Sequence, residues 1–220
     1  GNRVCRFEVT GNGSGFASSQ VAEVIKSTHV AFRPIDVKMG PDGAIYIADW
    51  YNPIIQHGEV DFRDERRDHT HGRIWRITAD ERPTLELPEF SELSISQLLE
   101  QLKAPEDWVR LYAKLELKTR PKKDVVQSIS KWLSKLDTND SDYSKLQLEA
   151  MWAYQNVLHT SSHLVETLLN DDDHRVRAAS VRLASVRRDN LPLHAEYFFS
   201  AATDEHPRVR LEAVRALAEL

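Results

Sequence analysis

Cysteine is all but absent from this chain. Cys5 stands alone among 220 residues, which excludes an internal disulfide, a CxxC zinc knuckle and a CxxCH haem attachment within these residues. Its alternation with Val4 and Phe7 places it on a strand. No helix start or cationic pocket marks it as reactive, so it reads as a buried structural thiol. No apolar run approaches the ~20 residues that a membrane helix needs, and the start Gly-Asn-Arg-Val is no signal peptide. A basic stripe is missing too: acids and bases are mixed along a chain of net charge −5, so a nucleic-acid or anionic-membrane partner is not expected. Nor is there a nucleophile elbow, a phosphate loop or a GxGxxG, and Gly11-Asn-Gly-Ser-Gly15 is not followed at once by a helix.

What is present suits a folded chain of one or two domains, with 41% hydrophobic and 29% charged residues. The apolar period is 2 up to about Pro88 and 3.6 from about Ser94 onward. That change predicts an α+β chain in two parts: antiparallel β over residues 1–88 and helices over residues 89–220.

In the first part Ile35, Val37 and Met39 alternate with Asp36 and Lys38. Gly40-Pro-Asp-Gly43 then makes a tight turn, and Ala44-Ile-Tyr-Ile-Ala48 runs back as a second strand. Arg73-Ile-Trp-Arg-Ile-Thr78 predicts a third strand. Upstream, Arg3 to Val9 reads as a strand and Gly11 to Gly15 as a turn. Downstream, the stretch from Ala79 to Phe90, with Pro83 and Pro88, reads as a final short strand plus linker.

Between the second and third strands lie 23 residues, Trp50 to Gly72, rich in His, Asp and Arg. Hairpin loops usually have about two to five residues, and longer ones tend to be functional or disordered. In three sequential antiparallel strands, the start of the first, the end of the second and the start of the third share one edge of the sheet. That edge gathers Arg33, Asp36, Asp49, Trp50, Tyr51, Asn52, His69, His71 and Arg73. Together they supply donors, acceptors and stacking surfaces for an anionic or polyol substrate. His57, His69 and His71, near Asp61, Asp64 and Asp68, are candidate metal ligands by type, yet no HExxH or CxxC spacing disciplines them. The alternative is that His and Arg hydrogen-bond the loop's carboxylates.

The second part contains a repeat. Val109-Arg-Leu-Tyr-Ala113, Leu146-Gln-Leu-Glu-Ala150, Val176-Arg-Ala-Ala-Ser180 and Val209-Arg-Leu-Glu-Ala213 recur at spacings of 37, 30 and 33 residues, the range of helical-hairpin repeats. Asp107, Asp173, and Asp204 with Pro207 supply start signals. Partner helices fall at about 94–103, 122–135, 162–170 and 193–202, so four αα-hairpins stack as a short right-handed solenoid. Arg110, Arg177 and Arg210 could form an anion-binding ladder; the alternative is pairing with the acidic turns. Trp108, Trp132 and Trp152 read as core or seam residues.

The D-x-x-x-V-R and D-x-x-x-x-V-R turns resemble HEAT repeats, from which the Leu146-Gln147 unit departs. Phe32 to Ile55, Phe62-Arg-Asp and His69-Thr-His-Gly-Arg-Ile together are similar to the end of the β-propeller in the membrane-bound dehydrogenases of planctomycetes and related bacteria. In that family a glucose/sorbosone dehydrogenase-like propeller precedes HEAT repeats and then a c-type haem domain. The resemblance covers about Asn2 to Thr78, and the helical half by architecture alone. It implies the last blade or blades of a propeller, since a whole one needs about four to eight. It further implies oxidation of a sugar or alcohol by the parent protein, electron transfer to c-type haem outside this chain, possession of a quinone cofactor by the parent, and a periplasmic or cell-envelope location. Arg33, Asp36, Asp49, Trp50, Asn52, His69, His71 and Arg73 would then face a sugar-like small molecule, while the helices would meet neighbouring domains or other proteins. A non-enzymatic interaction scaffold is the competing expectation.

Overall fold

The computed structural model describes residues 2–54, 58 and 60–220. Residues 1–10 and 17–87 form one compact unit; residues 88–220, with 11–16, form the other.

Two antiparallel elements make the first part. β1 (Arg3–Asn12) and β2 (Gly15–Lys26) pair as a two-stranded sheet. The Gly-rich segment, read from the sequence as a turn over residues 11–15, narrows to Gly13 and Ser14, with both strands continuing into it. Gly13 takes φ +58, a conformation glycine adopts without a Cβ penalty. Cys5 is half-buried in β1 rather than fully enclosed. The second sheet has the order β3-β4-β5, with β3 (Pro34–Met39), β4 (Ile45–Asp49) and β5 (Arg73–Ile77). Gly40 N–H donates to Ala44 O at 2.8 Å, and Gly43, at φ +76, closes the tight turn through Gly40 O at 3.0 Å. Val37, Ile47 and Trp75 stand in one row across the three strands, and Met39, Ile45 and Ile77 in the next but one. Ile47 is fully buried, and Phe32 meets Trp75 edge-on with ring centres 6.4 Å apart. No strand forms over residues 79–89. Leu85 N–H donates to Asp42 O at 2.9 Å, but Pro83 and Pro88 lack the N–H groups a ladder would need.

Eight helices follow in four consecutive pairs: α1 (Ile95–Glu100) with α2 (Asp107–Leu117), α3 (Lys122–Leu133) with α4 (Tyr143–Asn156), α5 (Ser162–Leu169) with α6 (His174–Val186), and α7 (His194–Ala201) with α8 (Pro207–Leu217). Local signals start them. Ser94 and Gln97 form a reciprocal capping box at α1, Ser161 accepts Leu164 N–H at α5, Asp173 accepts Arg175 N–H at α6, and Pro207 opens α8. The second helices α2, α4, α6 and α8 pack in series. Polar bonds tie first helices together as well: Trp132 Nε1 on α3 donates to Glu100 on α1 at 2.9 Å, and Tyr197 on α7 donates to Glu166 on α5 at 2.5 Å. A single apolar core, from Leu98 through Ile129, Val165 and Phe198 to Ala216, runs through all four pairs. Each pair buries its apolar stripe only by stacking on the next. Among the described residues no helix is long and apolar enough to cross a membrane.

Candidate functional site

The polar edge of the β3-β4-β5 sheet is organised around Asp49. In register, Pro34 faces Asp49 and Asp49 faces Arg73, which puts the end of β4 between the starts of its two neighbours. The Asp49 carboxylate is buried, with a residue exposure of 2%. Its Oδ1 accepts the N–H of Arg33 at 2.8 Å and of Tyr51 at 3.0 Å, while Oδ2 accepts Arg73 Nε at 3.0 Å and Trp75 Nε1 at 2.9 Å. Period-2 alternation explains why Arg73 and Trp75 arrive on the same face. Burial pushes this carboxyl's pKa up. The Arg33 N–H, the Trp75 indole, the Tyr51 N–H and the Arg73 charge outweigh burial and hold it below the ordinary value. Asp49 therefore stays ionised, and these four donors fix the chain entering and leaving the loop.

Tyr51 adopts φ +54, uncommon for a non-glycine residue. Its ring lies 3.8 Å from the Arg73 guanidinium centre, stacks on His29 at 5.8 Å and meets His71 edge-on at 6.5 Å. The strained backbone thus holds an aromatic ring under two imidazoles and one guanidinium.

The other sequence candidates separate. Arg33 directs its guanidinium to Asn2 Oδ1, to Phe32 O at 3.3 Å and to Pro53 O at 3.3 Å, and its Nε is buried without a partner. Trp50 N–H donates to Arg33 O at 3.0 Å. Asn52 is buried, and its Oδ1 accepts Ile54 N–H at 3.0 Å. Asp36 is not part of this cluster. A register shift between Pro34 and Asp36 sets it opposite Ala48, in the row that continues to Ile74, where it accepts Val37 N–H at 2.8 Å and lies 3.3 Å from Lys38 Nζ. His69 is exposed, and His57 lies outside the described residues. Sequence reasoning missed His29, which carries no motif, and Trp75, whose role needs the register.

The loop is folded on its own carboxylates. Asp61, Asp64 and Asp68 each accept the N–H two residues on, from Arg63 at 2.7 Å, Arg66 at 3.0 Å and Thr70 at 2.9 Å, giving three Asx turns in succession. Arg67 is buried; its guanidinium donates to Asp61 O at 3.0 Å, Val60 O at 3.1 Å and Ile54 O at 3.4 Å. The N–H of Thr70, the ring and N–H of His71 and the Thr70 hydroxyl overcome desolvation and hold the Asp68 carboxyl down to about 2. Asp68 consequently orients His71, whose Nδ1 lies 2.9 Å from Oδ2. Among the described residues no group of three or more His, Cys, Asp or Glu is placed to hold a metal ion.

In the helical unit the three arginines have protein partners. Arg110, Arg177 and Arg210 occupy the same place in α2, α6 and α8, and each Nη1 reaches back to the carbonyls six and five residues before it. These are Ala104 at 2.6 Å and Pro105 at 2.7 Å, Asp171 at 2.8 Å and Asp172 at 3.0 Å, and Asp204 at 2.7 Å and Glu205 at 2.8 Å. Arg177 also grips Asp204 of the next turn through Nε at 2.8 Å and Nη2 at 3.0 Å. Arg110 instead takes the buried Glu149 on α4 at 2.9 Å, which Lys114 shares. The pairing alternative, not a free anion ladder, describes Arg110 and Arg177. Trp132 is buried, while Trp152 lies beneath Lys114 with the ammonium 5.3 Å from its ring centre.

Residues 1–81 match a domain of unknown function, DUF7133. No curated protein and no solved structure matches the chain.

Proposed function

We propose that the β3-β4-β5 edge is one wall of a sugar- or alcohol-binding site in a larger oxidoreductase, and that the helical pairs are HEAT-type repeats serving as its scaffold. The observation that carries this reading is the cluster of Tyr51, Arg73, His71 and His29 seated on buried Asp49. It presents imidazole and guanidinium donors from a base too rigid to collapse when solvent is displaced, which suits recognition of hydroxyl groups. Asp68 adds an ionised acceptor beside His71. In this reading the three strands belong to a closing propeller blade, and neither the c-type haem nor the quinone cofactor is assigned to residues of this chain. Cys5 alone cannot anchor haem through a CxxCH motif. The location implied is the periplasm or cell envelope.

The test is oxidation of a panel of sugars and alcohols by the complete polypeptide with an artificial electron acceptor. His71→Ala and Arg73→Lys are expected to lower kcat/KM by about tenfold each. Rates unchanged in both variants would remove the edge from the site.

A second reading is a scaffold without catalysis, favoured by the Arg177–Asp204 and Arg110–Glu149 ties that brace successive helical pairs. It predicts no oxidation of any panel member, together with retention of a partner protein in pull-downs of the complete polypeptide.

A further inference from the structure

We propose that a basic cleft in the helical unit is a docking site for an acidic peptide segment that carries an apolar side chain at its centre. The cleft, of about 510 Å³, lies between the α2–α3 turn, the α4–α5 turn and the C-terminal end of α6. Lys118, Arg120, Lys122 and Arg187 line it, and no carboxylate does. In a chain of net charge −5 that segregation stands out. Nothing in it depends on the oxidoreductase reading.

Two of the four cations are engaged at least in part. Lys122 Nζ donates to Leu158 O at 2.8 Å, and Arg120 Nη2 donates to Ser91 O at 2.7 Å and lies 2.9 Å from Glu116. Lys118 and Arg187, among the described residues, have no ion-pair partner. The Nε atoms of Arg120 and Arg187 are both buried without a hydrogen-bond partner. Those two buried Nε atoms are out of a ligand's reach, and the demand for acceptors comes from Lys118 and Arg187, which line the cleft without an ion-pair partner.

The shape of the demand selects the occupant. The cleft sits at the C-terminal ends of α2, α4 and α6, where helix dipoles present negative partial charge and disfavour any anion seated at its centre, so the anionic groups of an occupant belong at the rim. Exposed Leu158 and Val186 lie among the cations. An apolar side chain can settle on them while carboxylates on either side meet the cations at the rim, the usual division between the centre and the edge of an interface.

Fluorescence anisotropy of the whole chain with fluorescein-labelled Glu-Glu-Leu-Leu-Glu-Glu tests this. That peptide is expected to bind about tenfold more tightly than Gln-Gln-Leu-Leu-Gln-Gln and than a run of six glutamates, with affinity falling as salt rises. The double variant Lys118→Glu/Arg187→Glu, both sites lying at helix ends outside the core, should lose about tenfold or more, with an unchanged circular dichroism spectrum confirming the fold. Leu158→Gly should weaken the leucine peptide and leave the glutamate run unaffected. Equal binding of the charged and neutral peptides, equal binding of the glutamate run, or indifference to the double charge reversal would each overturn the proposal.

Discussion

Arg73 Nε donates to Asp49 Oδ2 at 3.0 Å across the β4–β5 pair, and the same guanidinium covers the face of Tyr51 at 3.8 Å. One side chain thereby joins the buried acid to the strained residue that begins the long loop. Asp49→Asn would keep the shape and lose the charge, leaving Arg73 half-buried beside an amide that cannot accept at both positions. Breaking a buried pair by removing one partner costs about 3 kcal/mol. We expect a loss of that order in the urea unfolding of the sheet, followed by Trp75 fluorescence. A double-mutant cycle with Arg73→Met should return a coupling of about 1–3 kcal/mol; additivity within about 0.5 kcal/mol would show that the pair does not act as a unit.

In the helical unit, Arg177→Ala removes two carbonyl caps and the grip on Asp204 together. Asp204→Ala removes the grip and the bond that Asp204 Oδ1 accepts from His206 N–H at 2.7 Å. The first should therefore destabilise more than the second, by about 1 kcal/mol on the usual worth of a hydrogen bond, and the two should be strongly non-additive. Equal losses in chemical denaturation would mean that the two carbonyl bonds of Arg177 contribute no more than the single His206 N–H bond.

How much of this was legible in the sequence follows from the range of the forces involved. β3, β4 and β5 were readable because alternation and the Gly40-Pro-Asp-Gly43 turn are local. The helices were readable because the 3.6 period and start signals such as Asp173 and Pro207 are local, although Asp107 is the first residue of α2 rather than its cap and the cap of α8 is His206, not Asp204. What depends on distant partners was not readable. Asp36 looked equivalent to Asp49 until the register shift beside Pro34 turned it to the other face. Nothing in the sequence marks Asp49 as buried, because that requires Arg33, just ahead of β3, and Trp75 on β5 to converge on it. The glycines at 11, 13 and 15 suggested a five-residue turn where the structure has two, since a twisted hairpin tolerates glycine within its strands without any signal in composition.

His174 and His206 stack with ring centres 3.5 Å apart at the starts of α6 and α8. Burial, then the His174 charge, lowers the His206 pKa from 6.5; Asp204 opposes this, while Arg177 and Arg210 add to it. A histidine depressed in the folded state binds its proton more readily when unfolded, so its contribution is fully present above 6.5 and is lost as pH falls through the folded value. Urea midpoints should accordingly be flat above pH 7 and decline below about 6.5. In His206→Asn the asparagine oxygen can replace Nδ1 as acceptor of the Arg208 N–H, since Asn is a favoured N-cap. That variant should be folded and should show a shallower decline in this window, the remainder belonging to His159, whose pKa burial and the Lys122 charge also lower. An unchanged pH profile would show that the stacked pair does not titrate with folding.

Leu158 offers the sharpest test of local strain. It follows the C-cap of α4 with φ +55 and is 66% exposed. Its N–H donates to Gln155 O at 3.0 Å, and His159 N–H donates to Tyr154 O at 2.9 Å. Those two bonds are the Schellman pattern, in which the left-handed position is usually glycine. An L-residue there costs about 1–2 kcal/mol. The exposed leucine side chain recovers little of that by burial, and glycine's extra freedom in the unfolded chain subtracts part of the gain. Leu158→Gly should thus stabilise the helical unit by about 0.5–1 kcal/mol, read as a raised urea midpoint with unchanged slope. Leu158→Ala keeps the Cβ and the strain, and should gain nothing. If alanine and glycine behaved alike, backbone conformation would not be the source of the effect.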